Sequence, residues 1–209
     1  GTRLGEQDRV TLTLRTGMRS RSKWPQQPCG DSLAQFPLAQ NPGVSTLLVV
    51  IDGLGHGSLA AEASTKALQT LGQDPDAPLA QQFERLDDAL MATRGAAVAL
   101  TRVDGERLHY AAIGNTRALR WRAGAAVRLP SQYGIVGDGR PKRLQTIELD
   151  LRADDVLVLF TDGLSETLHL DTVSREWLDE PEQLCEHLMT HWGNPDDDAA
   201  VLVATVHAR

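Results

Sequence analysis

The sequence predicts an α+β fold in which antiparallel sheet is covered by helices on the outside. Three observations predict it. Short strand-like segments follow one another in meander from Gly95 onward, the helical patterns come in neighbouring pairs, and strands and helices do not alternate as regular βαβ units. At 209 residues the chain has the length of one domain with a sizeable core. Its 41% apolar and 23% charged residues are the proportions of an ordinary water-soluble globule.

The elements follow in order. Val10-Thr11-Leu12-Thr13-Leu14 alternates with a period of two and reads as a half-buried strand, and the basic, Pro-containing stretch from Arg19 to Pro28 reads as loop. Thr46 to Ile51 is a continuous apolar run, as a strand covered on both faces would be, and it stops at Asp52-Gly53. Ser58 is placed to cap a helix whose Leu59, Ala60, Ala63, Ala67, Leu68 and Leu71 recur at three-to-four spacing up to about Gly72. Pro78 suits the first turn of a second helix. Its stripe of Leu79, Phe83, Leu86 and Leu90 packs inward, leaving Glu84, Arg85, Asp87 and Asp88 to face water. Ala97 to Val103, Arg107 to Ile113, Ala118 to Arg122 and Ala126 to Leu129 read as antiparallel hairpin strands, separated by Asp104-Gly105, Gly114-Asn115 and Ala123-Gly124. A polar loop through Gly137, Asp138 and Gly139 leads to strands at Leu144 to Leu149 and Val156 to Thr161. A helical region carrying Leu184, Leu188 and Met189 and a last strand from Ala199 to Val206 complete the pattern.

Charge and composition exclude several classes. Against 28 acidic residues stand 21 basic ones, a net of −7, and a phosphate backbone would repel such a surface, so nucleic acid is not an expected partner. No apolar run reaches the roughly 18 residues of a membrane span, and Gly1 to Glu6 show no apolar signal region, so the expected location is the cytoplasm with no membrane partner. Cys29 and Cys185 lie far apart without a C-x-x-C partner and read as two reduced thiols.

The chemistry collects at acidic residues. Asp52, Asp162 and Asp197 each sit where a buried apolar strand meets a loop, and Asp31 follows Cys29-Gly30. Glycine follows both Asp52 and Asp162, permitting a sharp turn and exposing a carbonyl able to bind a hard cation. If the strands are neighbours, each carboxylate pair at about 4 Å costs roughly 4 kcal/mol at an effective dielectric near 20, which calls for compensating positive charge. All-oxygen ligands select Mg²⁺ or Mn²⁺, and a bridging carboxylate such as Asp52 can hold two ions about 3.5 to 4 Å apart for hydrolysis by activated water. The plainer alternative is that each Asp caps a turn or opens a helix. Gly53-Leu54-Gly55-His56-Gly57-Ser58 departs from the dinucleotide-binding loop in glycine spacing, and neither a P-loop nor a G-x-S-x-G elbow occurs. His56 has two readings, a proton donor to a leaving alkoxide or a residue that shapes its glycine-flanked loop.

Asp52-Gly53-Leu54-Gly55-His56-Gly57, Gly30-Asp31 upstream, Phe160-Thr161-Asp162-Gly163-Leu164-Ser165-Glu166 downstream and Asn194-Pro195-Asp196-Asp197-Asp198 before the last strand resemble the metal-dependent PPM (type 2C) serine/threonine phosphatases, in their sporulation-IIE-like branch. Ser131 to Gly137, with no sensor domain evident, is similar to the RsbX-like, stand-alone phosphatases of bacterial stressosomes. The resemblance implies a single domain over residues 1–209, a four-layer α/β/β/α sandwich with two central antiparallel sheets and metals at one end. It implies two Mn²⁺ or Mg²⁺ ions: Asp52 bridging both, the Gly53 carbonyl on one, Asp162 and Asp197 on the other, and Asp31 acting through a metal-bound water. The implied reaction is attack of a bridging hydroxide on phosphoserine or phosphothreonine of STAS-domain stress-signalling proteins. In that scheme Asp31, Asp52 and His56 are the catalytic residues. The chain departs from the family pattern at Ala200, where a hydroxyl residue is usual, and no residue before Asp31 matches the phosphate-binding arginine of the eukaryotic type 2C enzymes, for which Arg21, Lys23 and Arg94 stand as candidates. Two other readings stand beside this one: a catalytically weak pseudophosphatase that binds STAS-domain partners, and a hydrolase of small phosphate esters, which would need a deep pocket.

Overall fold

In the computed structural model, which describes residues 11–39, 44–139 and 143–209, two five-stranded antiparallel sheets face one another, with helices on each outer side. The first sheet has the order β1(Leu12–Arg21), β10(Ala199–Ala208), β9(Val156–Phe160), β6(Arg117–Arg122), β7(Ala125–Leu129). The second has the order β2(Asp31–Pro37), β3(Ser45–Gly53), β4(Ala96–Asp104), β5(Arg107–Ile113), β8(Ile147–Asp150). Helices α1(Ser58–Gln73) and α2(Leu79–Leu90) cover the second sheet, and α3(Arg175–Leu178) with α4(Pro181–Trp192) covers the first. The expected α+β architecture, in four layers, is the one found.

The continuous apolar runs are explained by this layering. On β3, Leu48 and Val50 enter the core between the sheets while Leu47, Val49 and Ile51 pack beneath the helices, so both faces stay apolar from Leu47 until Asp52. Strand β10 divides the same way, with Leu202, Ala204 and Val206 between the sheets and Ala199, Val201 and Val203 under α4. Fully burying a Val or Leu contributes about 1.5 to 3 kcal/mol, so these two strands anchor the sandwich.

Several expectations change. The first strand runs on to Arg21, through residues expected to be loop, because β1 pairs with β10 along its whole length although Arg19 and Ser20 stay exposed. Val10, with residues 1–10, lies outside the described residues. Strand β2 was not anticipated; its DSLAQFP segment lies at a sheet edge and lacks alternation. Gly114-Asn115 is not a hairpin turn, since β5 and β6 belong to different sheets and the chain crosses between layers there. Ser58 is the first helical residue of α1 rather than its cap; Gly57 holds the cap position without a side-chain bond. Asp87 does not face water. It is buried, and its Oδ1 accepts the Gly137 N–H at 2.7 Å.

Candidate metal centre

Asp31 and Asp52 face each other as register partners on β2 and β3, while Asp162 follows β9 and Asp197 precedes β10. Each sheet thus contributes two carboxylates to the same end of the sandwich. Across the two layers Asp52 feels the charges of Asp31, Asp162 and Asp197, and Asp31 feels those of Asp162, Asp197 and Asp198. The acidic residues expected from the sequence are therefore neighbours. The glycines after Asp52 and Asp162 serve close packing. A Cβ on Gly53 would stand 2.1 Å from the Ala60 carbonyl oxygen in the first turn of α1, and one on Gly163 would stand 1.9 Å from that of Asp198. No side chain fits at either place.

Burial is the main cause of the electrostatic tension. It pushes the Asp31 carboxyl above the ordinary range, partly offset by the Thr161 hydroxyl, with Asp198, Asp162 and Asp197 adding to the rise. Asp52 is raised in the same way, first by burial and then by Asp31 and Asp162. Asp197 is raised by burial and by Asp162, while Lys23 acts in the opposite direction.

Residues that sequence reasoning had not assigned a role hold these carboxylates. Thr161 is fully buried; its Oγ1–H donates to Asp31 Oδ2 at 2.6 Å, and the same oxygen accepts the Ala200 N–H at 2.9 Å. One hydroxyl therefore ties β9, β10 and β2 together, next to the alanine that stands where the family pattern has a hydroxyl residue. Asn115 Nδ2 donates to Asp162 Oδ2 at 2.5 Å. Its Gly-Asn setting suggested only a turn, so nothing local marked it. Asp198, adjacent to Asp197, is buried and braces the backbone: its two oxygens accept the N–H groups of Lys23 and Gly30, both at 2.7 Å. This fastens the β1–β2 connection over the centre. Asp197 accepts the Asp198 N–H at 3.0 Å and remains half-buried.

His56 is exposed on the loop between Gly55 and Gly57, both at positive φ, with its ring edge-on to Trp24 at 4.9 Å. The Lys23 ammonium lies 4.7 Å from the Trp24 ring centroid. Of the other expected cations, Arg21 donates to the Asn194 carbonyl at 2.8 Å, and the Arg94 guanidinium crosses Gly55, 2.8 Å from where a Cβ would stand.

The donor set fits a hard divalent cation. It is carboxylate oxygen throughout, and these acids carry the strain of buried like charge, which an ion would relieve. Among the described residues no group of three His, Cys, Asp or Glu side chains closes on a single point.

Comparison with known proteins agrees with the fold and the motifs. The family model of Stage II sporulation protein E (SpoIIE) matches residues 42–207. Phosphoserine phosphatase RsbX of Bacillus subtilis (strain 168) is 26% identical over 139 residues, 66% of this chain and 68% of that one. A solved chain described as "The bacterial stressosome: a modular system that has been adapted to control secondary messenger signaling" superposes with a TM-score of 0.81 at 27% identity, covering 92% of this chain and 99% of the other. RsbX in complex with magnesium superposes with a TM-score of 0.76 at 22% identity, over 94% and 99% of the two chains, a likeness of fold. With its motifs in order along two PPM-like sheets, the chain belongs to the SpoIIE family.

Proposed function

We propose that this chain is a Mn²⁺- or Mg²⁺-dependent phosphoprotein phosphatase that removes phosphate from serine or threonine of STAS-domain stress-signalling proteins. The observation that carries the reading is the meeting of Asp31, Asp52, Asp162 and Asp197 from two sheets at one end of the sandwich. Its relatives support it: RsbX is a phosphoserine phosphatase and has been solved with magnesium, and a further likeness comes from stressosome work.

In this reading Asp52, the Gly53 carbonyl, Asp162 and Asp197 would hold the ions, with Asp31 acting through water. Bound there, the ions supply electrophilic pull on the phosphoryl oxygens and lower the pKa of water. The protein's own groups do the rest. Thr161 fixes the Asp31 carboxylate and Asn115 fixes that of Asp162. Lys23, whose charge reaches Asp197, attracts the incoming phosphate. The His56 imidazole, held by Trp24, delivers a proton to the departing serine or threonine oxygen. Asp162 is exposed and Asp52 and Asp197 are half-buried, so the centre is shallow and suits a phosphorylated protein segment better than a small ester. A cavity of about 710 Å³, lined in part by Trp121, Asp155 and Leu178, lies at the other end of β9.

The test is phosphate release from a phosphorylated STAS protein incubated with the chain and Mn²⁺. Release that disappears with chelator and with Asp162→Asn supports the proposal. Stable binding of the phosphoprotein without release identifies the pseudophosphatase, and release that survives Asp162→Asn removes Asp162 from the metal shell.

A further inference from the structure

We propose that His187 and His191 on α4 form a second metal site, specific for a nitrogen-seeking divalent ion such as Ni²⁺, Zn²⁺ or Cu²⁺ and separate from the oxygen-lined centre. The two residues lie one helical turn apart on the same helix face, with ring centroids 4.0 Å apart and planes inclined by 36°. Metal–nitrogen bonds of about 2.0 to 2.1 Å at a tetrahedral angle span two nitrogens roughly 3.3 Å apart, a separation of the same order as that of these two rings.

The hydrogen bonding prepares the ligands. His191 Nδ1 lies 2.9 Å from the His187 carbonyl oxygen, and a carbonyl can only accept, so Nδ1 carries a proton and in the neutral ring the lone pair sits on Nε2. Metal-binding histidines are commonly held this way, the second ring N–H donating to a backbone carbonyl. His187 is half-buried, and burial together with His191 lowers its pKa, which favours the neutral imidazole a metal requires. Indoles wall the pair: Trp177 stands 4.5 Å from His187, and Trp192 stands 5.9 Å from each imidazole. The neighbouring Glu186 is paired with Arg19.

Among the described residues no third His, Cys, Asp or Glu completes the set, so water fills the remaining positions and the site stays open and exchangeable. Imidazole suits Zn²⁺, Ni²⁺ and Cu²⁺, whereas Mg²⁺ and Mn²⁺ prefer oxygen, so the two sites select different ions. They are nonetheless joined through the chain. The Trp192 carbonyl accepts the Ser165 N–H at 2.9 Å, and the Asn194 N–H donates to the Gly163 carbonyl at 2.8 Å, bonding the end of α4 to the loop that follows Asp162.

The adjacent indoles give a readout that does not depend on turnover. Nickel chloride is titrated into the full chain in excess Mg²⁺, following tryptophan emission and, in parallel, heat of binding. We expect saturable quenching at one ion per chain, weakened at least tenfold by His191→Ala and by His187→Gln and unchanged by Asp162→Asn. Circular dichroism of the exposed-site variant His191→Ala verifies folding, and its Mn²⁺-supported thermal shift stays intact. Absence of saturable binding in wild type at millimolar Ni²⁺ overturns the proposal, as does quenching that persists in the His187→Ala/His191→Ala double variant.

Discussion

Replacing Thr161 by Val isolates the hydroxyl that joins three strands beneath the candidate centre. The shape of the side chain is nearly kept, so no cavity of consequence opens, but two buried hydrogen bonds are lost: Oγ1–H to Asp31 Oδ2 at 2.6 Å and Ala200 N–H to Oγ1 at 2.9 Å. A bond to a carboxylate is worth about 1.5 to 3 kcal/mol, and a buried N–H left without a partner costs about 1 to 3 kcal/mol. Because both bonds use one group they do not simply add, and a net loss of about 3 kcal/mol is expected. For a chain of this size each kcal/mol lowers Tm by about 2 to 4 °C, so Thr161→Val should melt roughly 6 to 12 °C below wild type in metal-free buffer. Thr161→Ser keeps the hydroxyl and loses only a methyl group, a cost of about 1 kcal/mol. Urea denaturation of the three proteins gives the free energies directly. If Thr161→Val and Thr161→Ser unfold together, or if Thr161→Val loses under about 1 kcal/mol, the hydroxyl does not join these strands.

Arg122 pairs with the fully buried Asp155 through Nε at 2.5 Å and Nη2 at 2.6 Å, so Arg122→Met strands a buried charge and should cost about 3 to 5 kcal/mol in urea denaturation. A loss under about 1 kcal/mol would mean that the Arg152 N–H, 2.9 Å from Asp155 Oδ2, suffices alone. Asn115→Ala frees the Asp162 carboxylate; Mn²⁺ affinity, read from the thermal shift at several metal concentrations, should fall about tenfold, in the range typical of lost outer-shell partners, with little change in metal-free Tm. An unchanged Mn²⁺ titration would show that Asn115 does not orient Asp162.

The sequence disclosed what local pattern can encode. The buried runs of β3 and β9, each leading into Asp-Gly, are visible as continuous apolar stretches because both faces are covered, and the helix stripe Leu79, Phe83, Leu86, Leu90 is visible as periodicity because one face is. What stayed hidden depends on distant partners. Strand β2 has no pattern of its own and exists by pairing with β3, and β1 extends to Arg21 because β10 lies beside it. The crossing at Gly114-Asn115 looks like any hairpin turn, since membership of one sheet or another is not a local property. At the centre, Asp52 and Asp162 were legible as interruptions of apolar strands. Asp197 was read from its place before the last strand, but the different position of its neighbour Asp198, clamped on the Lys23 and Gly30 N–H groups, was not legible, because both follow the same loop. The glycines after Asp52 and Asp162 suggested turning freedom, whereas their packing against Ala60 and Asp198 shows a need for room.

The division of the four acids between the sheets makes the centre a gauge of how tightly the two halves are closed. A cation seated among them would work as a rivet through both plates, and prising the plates apart at that edge would loosen it without touching any ligand. Squeezing them together would do the reverse.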